Sequence, residues 1–183
     1  LLGNGGLTDP YWYGGFSLFS IYPPVGYGIV GVIASIPGIG FVLTYKIVLL
    51  LAYSAVGTTT YYTARRLGNG FSLSLLAGLV AILAYPMQAS VGLWGWYSTI
   101  VALPLALLSL ILLEKSLDGN RAITAVLGGV VLGLSVLSHH MTAFAFGIFL
   151  PIWLIYHFLT KPDLLNHLFK VSILFMLGVT ITT

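Results

Sequence analysis

Apolar runs suited to crossing a bilayer follow one another from residue 41 to the end of the chain, separated by short turns that hold most of its charges. Hydrocarbon about 30 Å thick, at about 1.5 Å per helical residue, asks for roughly 20 apolar residues. Residues 41–64 meet that length and close on the basic turn Arg65-Arg66-Leu67-Gly68-Asn69-Gly70. Residues 71–85 are stopped by Pro86, and residues 87–97 form a connection containing Gly and Trp. Residues 98–113 cross next and end at the charged stretch 114–121. Residues 122–138 cross back to His139-His140, residues 143–159 return to Thr160-Lys161-Pro162-Asp163, and a last run starts near Leu168. The expected fold is an all-α integral membrane bundle, residues 41–183, with about six spans.

Composition narrows the class. Only 6% of the 183 residues are charged, against about 25% in an ordinary soluble domain, so the chain cannot clothe a water-facing surface of this size. There is no cysteine, which excludes disulfides and thiol nucleophiles. The net charge of +3 is accounted for by the turns, and nucleic-acid binding is not expected. The chain starts at Leu1 without a basic leader segment and stops inside an apolar run at Thr183, so both ends are expected to be incomplete.

Residues 1–40 form a separate unit, an aromatic loop rich in Gly and Pro. The pairs Gly14-Gly15 and Pro23-Pro24 break the backbone ladder that hydrocarbon demands. Residues 25–36 are apolar but too short to span, and read as an interfacial or re-entrant helix.

Charge placement orients the bundle. The turns at 65–70, 114–121 and 160–170 are separated by two spans each and carry Arg65, Arg66, Lys115, Arg121, Lys161 and Lys170. The positive-inside rule puts that side in the cytoplasm of a cell membrane protein. The opposite side receives residues 87–97 and His139-His140 and, with one crossing between 25 and 64, the opening loop as well. Ala125, Gly129 and Gly133 recur at four-residue spacing, a small-residue face that lets two helices approach closely.

Few residues could carry chemistry. Asp9 is the one carboxylate expected on the outer side and reads either as a general base or metal ligand, or as a turn residue before Pro10. His139 and His140 could bind a lipid phosphate or a divalent metal, or form a water-satisfied helix end; on a regular helix they would point about 100° apart. His157 and His167 read as residues of the inner interface. Tyr11, Trp12, Tyr13, Tyr22, Tyr27, Trp94, Trp96 and Tyr97 are either stacking platforms for sugars and prenyl chains or an interfacial aromatic belt.

The run Gly14-Gly15-Phe16-Ser17-Leu18-Phe19-Ser20-Ile21-Tyr22-Pro23-Pro24-Val25-Gly26-Tyr27, the span end Ala64-Arg65-Arg66-Leu67-Gly68, and Leu137-Ser138-His139-His140-Met141-Thr142 together resemble multispanning glycosyltransferases of the C-type fold. The resemblance is nearest to the archaeal and bacterial protein-mannosyltransferase-like and lipid-sugar transferases. It implies transfer of a hexose or pentose from a polyprenyl-phosphate-linked donor on the outer face, with Asp9 as the base and the histidines and aromatics holding donor phosphate and sugar. It fixes no cofactor beyond the donor and leaves a divalent metal open. The alternative is a non-catalytic transmembrane subunit, held to partner membrane subunits by its small-residue faces.

Overall fold

The computed structural model describes residues 24–93, 95–119, 121–160 and 165–182. Its described residues are all helical apart from turns, with no strand. The helices are α1 (Pro24–Ala34), α2 (Phe41–Arg66), α3 (Phe71–Leu83), α4 (Tyr85–Gly92), α5 (Tyr97–Gly119), α6 (Ala122–Ser138), α7 (His140–Thr160) and α8 (Leu165–Thr182). Four stretches are long and apolar enough to cross a membrane: α2, α3 continued by α4, α5 and α7. Ala84 is the only non-helical residue between α3 and α4, and Pro86 follows in the first turn of α4, where a missing N–H is no loss. The remaining apolar helices α1, α6 and α8 are shorter.

Two packed units make up the bundle. In the first, α6 lies between α5 and α8. Ala125 is fully buried, and a Cβ on Gly129 would overlap the Phe175 carbonyl oxygen and stand 2.9 Å from the Gly178 Cα. A Cβ on Gly133 would stand 2.6 Å from the Thr182 Cβ. The small-residue face read from the sequence thus seats α8. In the second unit, α2 and α3 form a hairpin around the Gly68 turn, where φ is +85°. They touch at Gly57 and Gly78, whose added Cβ would come within 2.7 Å of the Gly57 carbonyl oxygen. Helix α2 also packs along α5, which joins the two units, and α1 rests against α2, α5 and α6.

Burial follows a membrane pattern. Only 22%, 11% and 18% of the apolar windows of α2, α3 with α4, and α7 are buried, against 56% for α5. Leu50, Leu51, Leu73 and Leu76 are all more than half exposed, a surface that water would penalise and lipid would not. Hydroxyls in these helices turn inward to their own backbone: Thr58, Thr59, Thr63 and Ser90 each donate to the carbonyl four residues earlier. That satisfies a polar group where no water is at hand.

The charged stretch 114–121 departs from expectation. It is not a loop from its start: α5 continues to Gly119, because Leu113 and Leu117 keep the apolar period and are buried against α6 and α8.

Candidate functional site

One end of the bundle gathers the start of α5, the α6–α7 junction and the first part of α2 and α1. Gly95, at φ +62°, turns the chain into α5, and the Trp96 N–H donates to the Ser90 carbonyl, tying α4 to this corner. Tyr97 then opens α5 almost fully buried. Its hydroxyl donates to the Gly26 carbonyl at 2.8 Å. A Cβ on Gly26 would stand 3.1 Å from the Tyr97 ring, a tight contact that the ring would have to shift by a few tenths of an ångström to relieve. The ring of Tyr45 stacks on Tyr97 at 4.8 Å, and that of Tyr27 tilts against it at 5.3 Å. Three helices therefore converge through three tyrosines, with Val30 and Val101 beneath them.

His139 lies on another side of the same first turn. Its backbone is extended, with φ −163° and ψ 112°, so α6 ends at Ser138 and α7 begins at His140. The His139 N–H caps α6 by donating to the Ser135 and Val136 carbonyls, and its own carbonyl accepts from the Thr142 N–H at the start of α7. The break sends the two imidazoles apart. His139 is half-buried with Nε2 3.3 Å from the Thr99 Oγ1, whereas His140 is exposed. Ser135 fixes the junction below by donating to the Ala102 carbonyl of α5 at 2.7 Å.

Burial, with a smaller contribution from neighbouring His140, holds the His139 pKa below its ordinary value. The imidazole is therefore mostly neutral at pH 7 and acts as a hydrogen-bond partner rather than as a fixed cation. The unfolded chain takes up a proton near pH 6.5, while folded His139 takes it up only at lower pH. Stability from this group is therefore full above that range and falls as pH drops toward the folded value. The melting temperature should decrease between pH 7.5 and pH 5, and His139→Gln should flatten that part of the profile.

The structure thus brings Tyr27 to Tyr97 and His139 to Thr99, two residues apart on α5 and facing different ways. Trp96 stands immediately before Tyr97, half exposed. Asp9, Tyr11, Trp12, Tyr13, Tyr22 and Trp94 lie outside the described residues. Tyr45 and Thr99 carry no motif in the sequence; their pairing depends on helix contacts between distant segments.

A second polar group sits toward the opposite end. On α7, Trp153 and His157 share a face at four-residue spacing, and both reach Glu114 of α5. The Trp153 indole N–H donates to Oε1 of Glu114, and His157 Nε2 lies 3.0 Å from the same oxygen. His157 is only 4% exposed, so it is not the interface residue expected from its position near a span end. An ionised carboxylate can only accept, so Nε2 carries a proton. The buried Nδ1 of His157 has no hydrogen-bond partner among the described residues. A helical wheel on Trp153 and His157 would have shown the shared face; its partner on α5 could not be read that way. No group of three or more His, Cys, Asp or Glu side chains that could hold a metal occurs among the described residues. Comparison with known protein families, with curated proteins and with solved structures found no match.

Proposed function

We propose that this chain is part of a multi-pass membrane glycosyltransferase, taking a sugar from a polyprenyl-phosphate-linked donor at the Tyr97–His139 end. With α6 and α8 counted beside the four long stretches, the chain crosses six times, and the basic turns face the cytoplasm. The observation that carries the reading is the break at His139, which sets a largely neutral imidazole beside the Thr99 hydroxyl at the start of α5. A neutral imidazole and a hydroxyl suit sugar hydroxyls and phosphate oxygens. The N-terminus of α5 carries partial positive charge, which favours the donor phosphate. Exposed Trp96 offers an aromatic surface beside them.

In the transfer itself the acceptor oxygen bonds to the anomeric carbon as the bond from that carbon to the lipid phosphate oxygen breaks. A carboxylate takes the acceptor's proton, and Asp9 is the one the outer side offers. The chain has no cysteine, so single-cysteine accessibility at positions 9, 66 and 139 gives its topology directly. Positions 9 and 139 should label from outside and 66 from inside. Undecaprenyl phosphate should be retained by the purified chain, about tenfold more weakly by His139→Ala with Trp96→Ala, and Asp9→Asn should abolish transfer from polyprenyl-phosphate mannose or glucose while sparing retention. Labelling of 9 and 139 on opposite sides would overturn the arrangement.

The low burial of α2, α3 with α4, and α7 favours a second reading, a subunit whose faces are covered by partner membrane chains. Chemical cross-linking in native membranes separates the two: heteromeric products through α2 or α7, without retention of undecaprenyl phosphate, support the subunit.

A further inference from the structure

A threonine inside a helix commonly bonds back along its own backbone. Thr44, Thr58, Thr59 and Thr63 of α2 do so, each donating to the carbonyl four residues earlier. Thr99 does not. The carbonyls of Gly95 and Trp96, four and three residues before it, accept from the Tyr97 and Ile100 N–H groups at the start of α5. The Thr99 hydroxyl instead reaches the junction of α6 and α7, where its Oγ1 lies 3.3 Å from His139 Nε2, its one hydrogen-bond partner among the described residues.

A neutral imidazole has one N–H and one lone pair, and the bond made at one nitrogen decides which nitrogen holds the proton. With the proton on Nε2, the ring would donate to Thr99, and the proton of a half-buried hydroxyl would have no acceptor. An unmade hydrogen bond of that kind costs free energy. With the hydroxyl donating to Nε2 that cost is absent, and the ring proton stands on Nδ1. This nitrogen is not enclosed: among the described residues, the ring nitrogen buried without a partner is that of His157. An N–H on the His139 Nδ1 is therefore open to water or to a ligand oxygen.

We infer that Thr99 is a positioning residue that holds His139 as the Nδ1–H tautomer, so that the ring offers one neutral donor to an anionic ligand oxygen. Both ring nitrogens then have their roles. Nε2 accepts from Thr99, and Nδ1 donates to a phosphate oxygen in a charge-assisted bond. No lone pair is left on the ring to act as a base, so a proton from the sugar acceptor goes to a carboxylate and not to His139. The choice of a polyprenyl phosphate as the ligand rests on the transferase reading; the tautomer does not.

Nuclear magnetic resonance of the full chain in micelles, with its histidines labelled with nitrogen-15, provides the test at about pH 8, where imidazole is neutral. The His139 signals are assigned by their loss in His139→Gln. The wild type should show a protonated Nδ1 and an unprotonated Nε2. Thr99→Val keeps the side-chain shape and removes the donor, and should move the ring toward the Nε2–H form; Thr99→Ser should restore the wild-type pattern. Retention of undecaprenyl phosphate should fall about fivefold in Thr99→Val, the scale of one hydrogen bond, and recover in Thr99→Ser. A wild-type ring protonated at Nε2, or a tautomer unchanged by Thr99→Val, would overturn the inference. The wild-type spectrum involves no substitution and decides even where a variant fails to fold. A wild type that holds the Nδ1–H form without retaining undecaprenyl phosphate supports the role of Thr99 and defeats the transferase reading.

Discussion

Gly129→Ala should lower the unfolding free energy by about 3 kcal/mol, while Gly147→Ala should change it by less than about 1 kcal/mol. The two substitutions add the same methyl group to helical backbone. At Gly129 that group would overlap the Phe175 carbonyl oxygen and crowd the Gly178 Cα. The neighbour is backbone, which cannot turn aside as a side chain can, so α6 and α8 must separate. Separation loosens the contacts of Phe175, Leu132 and Val171 together, since they belong to one core. At Gly147, in the middle of α7, a Cβ meets nothing within 4 Å. Unfolding followed in detergent micelles against increasing denaturing detergent gives both values. If Gly129→Ala is as mild as Gly147→Ala, the close crossing of α6 and α8 is wrong.

The second large effect is expected at Glu114. Its carboxylate accepts from the Trp153 indole and faces His157 Nε2, joining α5 to α7. Helix α7 buries little of its surface, so this polar clasp is a major part of what seats it. Glu114→Ala leaves an indole N–H and an imidazole N–H without an acceptor. Each buried donor left without an acceptor costs about 1–3 kcal/mol. Glu114 is about a quarter exposed, and screening brings the expected loss to about 2–3 kcal/mol. Glu114→Gln keeps one acceptor oxygen and should lose roughly half as much. A double-mutant cycle with His157→Phe, read by the same unfolding experiment, should return a coupling of at least about 1 kcal/mol. A coupling near zero would mean that 114 and 157 do not interact in the folded chain.

Much of the architecture was legible because it depends on local order along the chain. The apolar runs read as ending at Ala64, Ser138 and Leu159 lie within two residues of the ends of α2, α6 and α7 at Arg66, Ser138 and Thr160, since polar or turn residues there stop an apolar period. The four-residue recurrence of Ala125, Gly129 and Gly133 marked a close helix contact, because only small side chains permit one. The sequence could not say that α8 would be the partner, as that depends on where distant segments meet. It also misplaced the end of α5: the charges at 114–121 suggested a loop, but Leu113 and Leu117 still had a core to reach.

The candidate site divides in the same way. A helix boundary at His139-His140 was readable from the end of the apolar run, but not the extended backbone that sends His139 toward Thr99 and leaves His140 exposed. Tyr27 was visible as an aromatic beside glycines; that it would meet Tyr45 and Tyr97 was not. Composition and period alone determined that this chain is helical and built for a membrane, because hydrocarbon requires each segment to satisfy its own backbone. Which side chains meet across helices, Tyr97 with Gly26 or Glu114 with His157, was decided only in the tertiary structure. Those contacts join residues 71 and 43 positions apart, and no local pattern specifies a pairing over that separation.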